Sequence, residues 1–574
     1  MSQDLPPVAP AVTAGLVAAL SPRLRKRLDA GIAKLAHRPA VRDGDTVRIA
    51  VDDSTDIELH APGGAVTKAD DIRCGCLLAP DCLHRAAAAS AAPIAEPAAP
   101  SADSGASEPS SQEPSSAAVP QAATPEQRSA ARALQDAARA VLEAGTDGSG
   151  AVLQAELLRA AHTARLAALP RAAASAVSTV TALRAARSAD PAYRLTDLVA
   201  ALRDVLSLAH RIPRAQGAEL AVLRGTVRQP YRPDGSLRLY GLFCEPVLTA
   251  SGYAGAVTWT ADAEGRLYQV SDVAPGGSGR AVGAADRAVR VGETALTHRE
   301  LSRAGLAVSG ATVSPAGRLG AGAGVRAVRA SGAGWREAPL DRLWAVPAAE
   351  QVGRALSGGH GLLFLELTLA GVVREATGDC LLADCGGVVL RLAAAHDHPA
   401  LPHRDNLRLL AAARGSRLRV VARLTPGPCP RAQLLATEHP TDPGSRVDVG
   451  LDRLQHADLP VAPAAPPTAP AVPTPDEAPI HLLRRRVQQA ASGGRRVLSF
   501  PGNGSADARR LRRHGLATAG DILDELHAAA AERSRDAFGR LLPADPDRFA
   551  RAWLAAAHYT DEVDRALCAA AWNG

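Results

Sequence analysis

Cys74-Gly75-Cys76-Leu77-Leu78-Ala79-Pro80-Asp81-Cys82-Leu83-His84 gathers three of the chain's eight cysteines, and a histidine, into one short stretch. Thiolate and imidazole donors in this number match a tetrahedral zinc ion, which in structural sites takes four Cys or His ligands and leaves no position for water. Such a site organises a fold rather than performing a reaction. Strand side chains alternate faces, so Cys74 and Cys76 point the same way and reach one ion if the chain bends at Gly75. Cys82 and His84 share that spacing, but two positions along a regular helix lie roughly 200° apart. This pair therefore needs an irregular turn, which Pro80 and Asp81 supply, ahead of a helix beginning in Arg85-Ala-Ala-Ala-Ala-Ser90.

Outward from this stretch, Thr46 to Val51 and Thr55 to His60 read as two short strands joined at Asp52-Asp53. With them, the Cys-x-Cys and Cys-x-His pairs resemble the SWIM-type zinc finger. This is a small strand-strand-helix module of bacterial and eukaryotic proteins, including some that accompany SWI/SNF-type ATPases and transposases. The resemblance covers about residues 40–90. It implies that Cys74, Cys76, Cys82 and His84 ligate one structural Zn2+, and it suggests a separate DNA-processing ATPase among the partner proteins. Buried, inert thiols are the plain alternative, and a histidine at ligand spacing argues against it. The first residues lack the basic start and apolar core of a signal peptide, and no apolar run is long enough to span a bilayer. The expectation is a cytoplasmic, reducing setting without disulfides.

The 574 residues suggest several domains. Hydrophobic residues make up 47% of the chain but aromatics only 3%, so its cores are expected to be built from small side chains, alanine above all. Lysine occurs only at 26, 34 and 68, as in the codon usage of a high-GC bacterial genome, which tempers any reading of arginine richness. A formal net charge of +6 is compatible with nucleic acid without requiring it.

The expected fold class is α+β multidomain: a small ββα zinc finger, a helical bundle, two β-rich domains and a C-terminal helical domain. An N-terminal helix and the finger fill residues 1–85. The helix, within 11–37, carries Leu16, Leu20, Leu24, Leu28 and Ile32 near one face, with Arg25, Lys26 and Arg27 largely away from it. Residues 86–123, rich in Ala, Pro and Ser, read as a disordered linker that lets the finger move independently. Helical spacing marks 124–215. A β-rich domain follows over 216–350, with hairpins expected at Pro233-Asp-Gly235 and Asp262-Ala-Glu-Gly265. It holds most of the aromatics, which either stack bases beside nearby arginines or form its core; the core reading is favoured because alternation buries one face. A barrel-like β domain over 356–440, OB-like by analogy, turns at Asp384-Cys-Gly-Gly387. Cys380, Cys385, His396 and His398 invite a second zinc reading, disfavoured by their spacing around a tight hairpin. A Pro-rich linker at 456–479 precedes a basic helical domain at 480–574. Its Arg484, Arg485, Arg486, Arg509, Arg510, Arg512 and Arg513 have the look of a phosphate-binding patch.

No lysine follows a glycine, which excludes a Walker-type phosphate loop, and neither His-Glu-x-x-His nor Gly-x-Ser-x-Gly occurs. Gly322-Ala-Gly324-Val-Arg-Ala327 meets the loose dinucleotide pattern without a clear strand before it. Three function classes remain. The first is a non-catalytic zinc-binding recognition protein contacting DNA or RNA; the second is a protein-interaction adaptor with a structural zinc; the third and weakest is an enzyme sited in the central β domains.

Overall fold

A computed structural model of the chain describes residues 5–95, 122–461 and 478–573, apart from 53, 192, 227–230, 250–252, 276, 321, 323, 376, 377, 443, 500–503, 533–535, 541, 543 and 544. It is a mixed structure of helices and three sheets, divided into two compact units. One comprises Met1–Val227 with Ala478–Thr560, the other Arg228–Glu477 with Asp561–Gly574. Most of the two linker segments, 96–121 and 462–477, lies outside the described residues. No described helix is long and apolar enough to cross a membrane.

The first unit opens with α1 (Pro10–Ala19), α2 (Pro22–Arg25) and α3 (Leu28–Leu35). Where periodicity suggests one helix, Ser21-Pro22 divides it. A proline opens a helix readily but cannot continue one, and the Ser21 hydroxyl accepts the Leu24 N–H as a cap. Then come β1 (Ala40–Asp43), β2 (Thr46–Asp52), β3 (Thr55–His60) and β4 (Ile72–Cys74), an antiparallel sheet in that order, followed by α4 (Leu83–Ala91). Val47, Ile49, Ile57, Leu59 and Ile72 line one face by strict alternation and bury against Leu16, Leu28 and the fully covered Ala86–Ala89 of α4. Residues 86–91 are thus core helix, not linker.

The helices α5 (Pro125–Gly148), α6 (Ala151–Leu166), α7 (Pro170–Arg187), α8 (Leu195–Arg211) and α9 (Gly217–Arg224) follow. Ala151 and Ala155 of α6 belong to the same core cluster as the finger sheet. The Asp29 carboxylate accepts the Ala151 N–H and pairs with Arg187, while Arg184 donates to the Ala92 carbonyl. The finger is therefore not insulated: it shares a core with the helices after the linker.

The second unit begins with β5 (Arg232–Leu248), β6 (Tyr253–Ala261), β7 (Leu267–Pro275), α10 (Gly277–Gly283), α11 (His298–Leu301), β8 (Gly305–Val313) and β9 (Arg326–Ala330). The sheet order is β7-β6-β5-β8-β9. The expected turn at Asp262–Gly265 joins β6 to β7, but Pro233-Asp-Gly235 lies inside β5, absorbed as shifts of register against β8. After α12 (Ala348–Leu356) come β10 (Leu362–Glu375), β11 (Gly378–Cys385), β12 (Val388–Ala394), α13 (His403–Ala412), β13 (Arg417–Leu424), β14 (Arg431–Glu438) and β15 (Arg446–Asp448). The order β12-β11-β10-β13-β14 closes through a parallel β12–β14 pairing into a five-stranded barrel. Leu363, Leu365, Leu367 and Leu369 fill its interior; the intervening Leu362 and Phe364 face outward into a second core with Phe243, Trp259, Trp335 and Trp344. These scarce aromatics are core residues.

His403, at the start of α13, is 1% exposed and its Nδ1 has no hydrogen-bond partner. Burial, reinforced by His396, pushes its pKa down to about 4. Between pH 6.5 and 4 the unfolded ring takes up a proton that the folded ring refuses, so stability falls as pH drops through that window, in all by about 3 kcal/mol. Asp448, fully buried and pushed up to about 6 by that burial, acts in the opposite sense. Comparison with His403→Gln isolates the histidine: the loss of stability between pH 7 and pH 4, read from denaturant unfolding, should shrink by about 3 kcal/mol.

The remaining helices are α14 (His481–Gly493), α15 (Arg495–Leu498), α16 (Gly504–Arg513), α17 (Ala517–Ala531) and α18 (Pro546–Ala571). Those up to Thr560 belong to the first unit rather than to a domain of their own. Thr146 donates to the Ser492 carbonyl and Arg139 pairs with Asp547. Backbones meet so closely that a Cβ on Gly145, at φ +68°, would lie 2.3 Å from the Gly494 nitrogen. Trp553 is fully buried and its indole N–H donates to the Val487 carbonyl at 3.0 Å. Cys568 and Trp572, by contrast, belong to the core of the barrel.

Candidate metal centre

Strand β4 fixes the first donor. Cys74 stands opposite Ile57 of β3, Ile72 anchors the strand in the core, and the Gly75 N–H donates to the Asp56 carbonyl at 3.2 Å. The chain then turns: the Ala79 N–H donates to the Cys76 carbonyl and the Ala79–Pro80 peptide is cis. Cys82 sits at the N-cap of α4 with extended backbone, φ −97° and ψ 154°, and His84 lies in the first helical turn. This is the irregular entry that the spacing demands, since two residues both inside the helix would diverge.

The four side chains converge. One donor atom from each of Cys74, Cys76, Cys82 and His84 lies within 4.8 Å of all the others, and Cys74 Sγ is 3.7 Å from His84 Nδ1. Ligand bonds of ~2.3 Å to sulfur and ~2.0 Å to nitrogen place tetrahedral donors at about this separation. None of the cysteines is in a disulfide. Cys82 is buried and the other three donors are half-buried.

Without a cation two of the three thiols resist ionisation. Burial, together with the neighbouring sulfurs, pushes the Cys74 thiol up to about 12 and raises Cys82. At Cys76, burial is outweighed by the N–H groups of Leu78 and Ala79 and by hydrogen bonds from the other two thiols, so its pKa falls. Three sulfurs sharing protons, with backbone N–H groups aimed at them, form a donor set that a divalent cation completes. The residues present fit such an ion.

No protein-family model, curated protein or solved structure matches the chain.

Sequence reasoning missed Arg85. The residue is 5% exposed and its guanidinium donates to the carbonyls of Ile72, Pro80 and Ala69, tying together the two ends of the ligand loop. An arginine next to a ligand carries no sequence signature of this role. Leu77 and Leu78, between the ligand pairs, are 103% and 63% exposed.

The second cysteine-histidine set does not converge. Among the described residues only the Cys74 cluster meets metal-ligand proximity; the Cys380 thiol donates to Glu375 and the His396 ring packs on His403. The nominated cations divide. Arg25 donates to the Leu20 and Ala18 carbonyls, Arg486 pairs with Asp507, and Arg512 pairs with Asp521 and Asp524, while Arg484 is half-buried on α14. Lys26, Arg27, Arg485, Arg509, Arg510 and Arg513 are exposed.

Proposed function

We propose that the chain is a non-catalytic recognition protein in which one structural Zn2+ holds a SWIM-like finger together. The observation that carries this reading is the convergence of three thiols and an imidazole on one point, a donor set that favours zinc and leaves no open coordination position for chemistry. The reading assigns no catalytic residue and places the protein in the cytoplasm, where thiols stay reduced.

Two kinds of partner have support. DNA or RNA is favoured by the exposed Lys26, Arg27, Arg485, Arg509, Arg510 and Arg513. A protein partner, such as a separate DNA-processing ATPase, is favoured by the loop between the ligand pairs, where Leu77 and Leu78 offer apolar surface rather than charge. The barrel has the connectivity of an OB-like fold, but the buried aromatics leave it no stacking platform of the usual kind.

The test is zinc content per chain, for wild type and Cys82→Ser, with DNA and RNA binding measured at two salt concentrations. One zinc, lost in the variant, is expected. Six phosphate contacts would weaken binding by about 10³ between ~50 and ~200 mM salt. One zinc without salt-sensitive binding assigns the protein partner, and absence of zinc overturns the whole reading.

A further inference from the structure

A cavity of about 270 Å3 opens within the second unit, between the β6–β7 turn, α12 and the first residues of β10. Leu267, Leu343 and Phe364 give it an apolar wall, and Arg342, Arg354 and His360 give it a polar one. Neither guanidinium has a carboxylate within ion-pair distance among the described residues; that of Arg342 donates to the Ala263 carbonyl, and both arginines are exposed. Other arginines of this unit are spent differently: Arg299, Arg303, Arg336, Arg391, Arg423 and Arg431 all sit on carboxylates. Two guanidinia without a carboxylate partner at one cavity leave their positive charge available to a ligand.

The walls are held in place before any ligand arrives. The buried Gln351 amide donates to the Val346 and Phe364 carbonyls and accepts the Phe364 N–H, fastening α12 to β10. His360 accepts the Leu362 N–H at Nδ1 and meets the edge of Trp259, with ring centroids 6.4 Å apart. Surrounding protein and the nearby Arg354 lower the pKa of this ring. Neutral, with Nδ1 accepting, it carries its hydrogen on Nε2 and remains a donor at the cavity wall.

Two features oppose an anion here, and neither prevails. Glu264 also lines the cavity, but it is one exposed carboxylate against two guanidinia. The C-terminus of α12 would present carbonyls, yet those of Gly353, Arg354, Ala355 and Leu356 accept from Ser357, Gly359, Gly358 and Arg565 respectively.

We propose that this cavity is a binding site for a small anion with an apolar body, its phosphate or carboxylate head held by Arg342, Arg354 and His360 and its body laid against Leu267, Leu343 and Phe364. Planar guanidinia suit either head group, and a concave, partly apolar pocket with a few polar groups suits a small ligand. The site is independent of the metal centre and does not rest on the zinc reading.

The experiment is calorimetric titration of the full chain with phenyl phosphate, benzoate and inorganic phosphate. Phenyl phosphate and benzoate present one body with two heads, so whichever binds more tightly identifies the head. Saturable binding of at least one of them at one site per chain is expected, about tenfold tighter than inorganic phosphate, which lacks the body. Arg354→Ala should weaken that binding about tenfold without changing the unfolding temperature, because its guanidinium holds no partner among the described residues; Arg342→Ala should weaken binding equally. Arg408→Ala, on the exposed face of α13 beside Asp405, should leave it unchanged. Absence of saturable binding by both aromatic anions, or binding indifferent to Arg354→Ala, or an equal loss in Arg408→Ala, overturns the proposal.

Discussion

Chelating the metal proposed at Cys74, Cys76, Cys82 and His84 should loosen more than the finger. Structural zinc contributes on the order of 10 kcal/mol to sites of this kind. Here the ion would join the end of β4 to the start of α4, and the fully buried Ala86–Ala89 of α4 form part of the floor beneath α1 and α3. Once the join is gone, the Arg85 bonds to the Ile72, Pro80 and Ala69 carbonyls are what remain to tie the start of the helix to the ligand loop. Amide hydrogen exchange should therefore rise first over residues 72–91, then at α1 and the start of α6, whose Ala151 and Ala155 share the same core. The Val47–Leu59 face of the sheet, buried independently of the ligands, should keep partial protection. Cys82→Ser should reproduce the pattern and lower the unfolding temperature of the first unit. Exchange confined to residues 72–85, with α1 and α6 unchanged, would mean that the finger is insulated after all.

This spread of the effect is the part of the fold that the residues concealed. The ligands were legible because four soft donors within so few residues have little other use, and β2 and β3 were legible because alternation names a buried face. Alanine has no such voice. Ala151, Ala155 and Ala86–Ala89 suit any close helix contact, so nothing in the chain says that α6 packs under the finger sheet or that α14 lies against α5. Local pattern also misled. Val222 to Arg228 alternates like a strand, yet Leu220 and Leu223, one helical turn apart, bury together on α9, which Gly225 ends at φ +70°. Pro233-Asp-Gly235 has the composition of a turn, and β5 takes it up as irregular register because its pairing with β8 continues through it. The barrel was readable as strands around a helix, whereas its closure by β12 and β14 depends on a parallel pairing between strands far apart in sequence.

Arg85 should matter to the metal site nearly as much as a ligand does, although it touches no ion. Its planar fork supplies donors to three backbone carbonyls, one on the buried Ile72 of β4, one in the exposed turn before Cys82 and one on the exposed Ala69 ahead of β4. Methionine keeps the aliphatic stem and removes every donor. The buried Ile72 carbonyl left unpaired costs ~1–3 kcal/mol and the two exposed ones cost less, so Arg85→Met should destabilise the first unit by about 2–3 kcal/mol. Because those carbonyls set where Cys74 and Cys82 lie, zinc affinity should also fall, by roughly 10- to 100-fold as for other groups that orient metal ligands. Lysine retains the charge but cannot reach three acceptors in a fixed plane, so Arg85→Lys should recover only part of either loss. Competition with a chromophoric chelator reads the affinity, and unfolding of the zinc-loaded chain reads the stability. Full zinc affinity in Arg85→Met, measured below its unfolding temperature, would reduce Arg85 to a packing residue. Loss in Arg85→Met with partial return in Arg85→Lys would establish that the fork of donors, and not the bulk or the charge alone, sets the geometry of the four ligands.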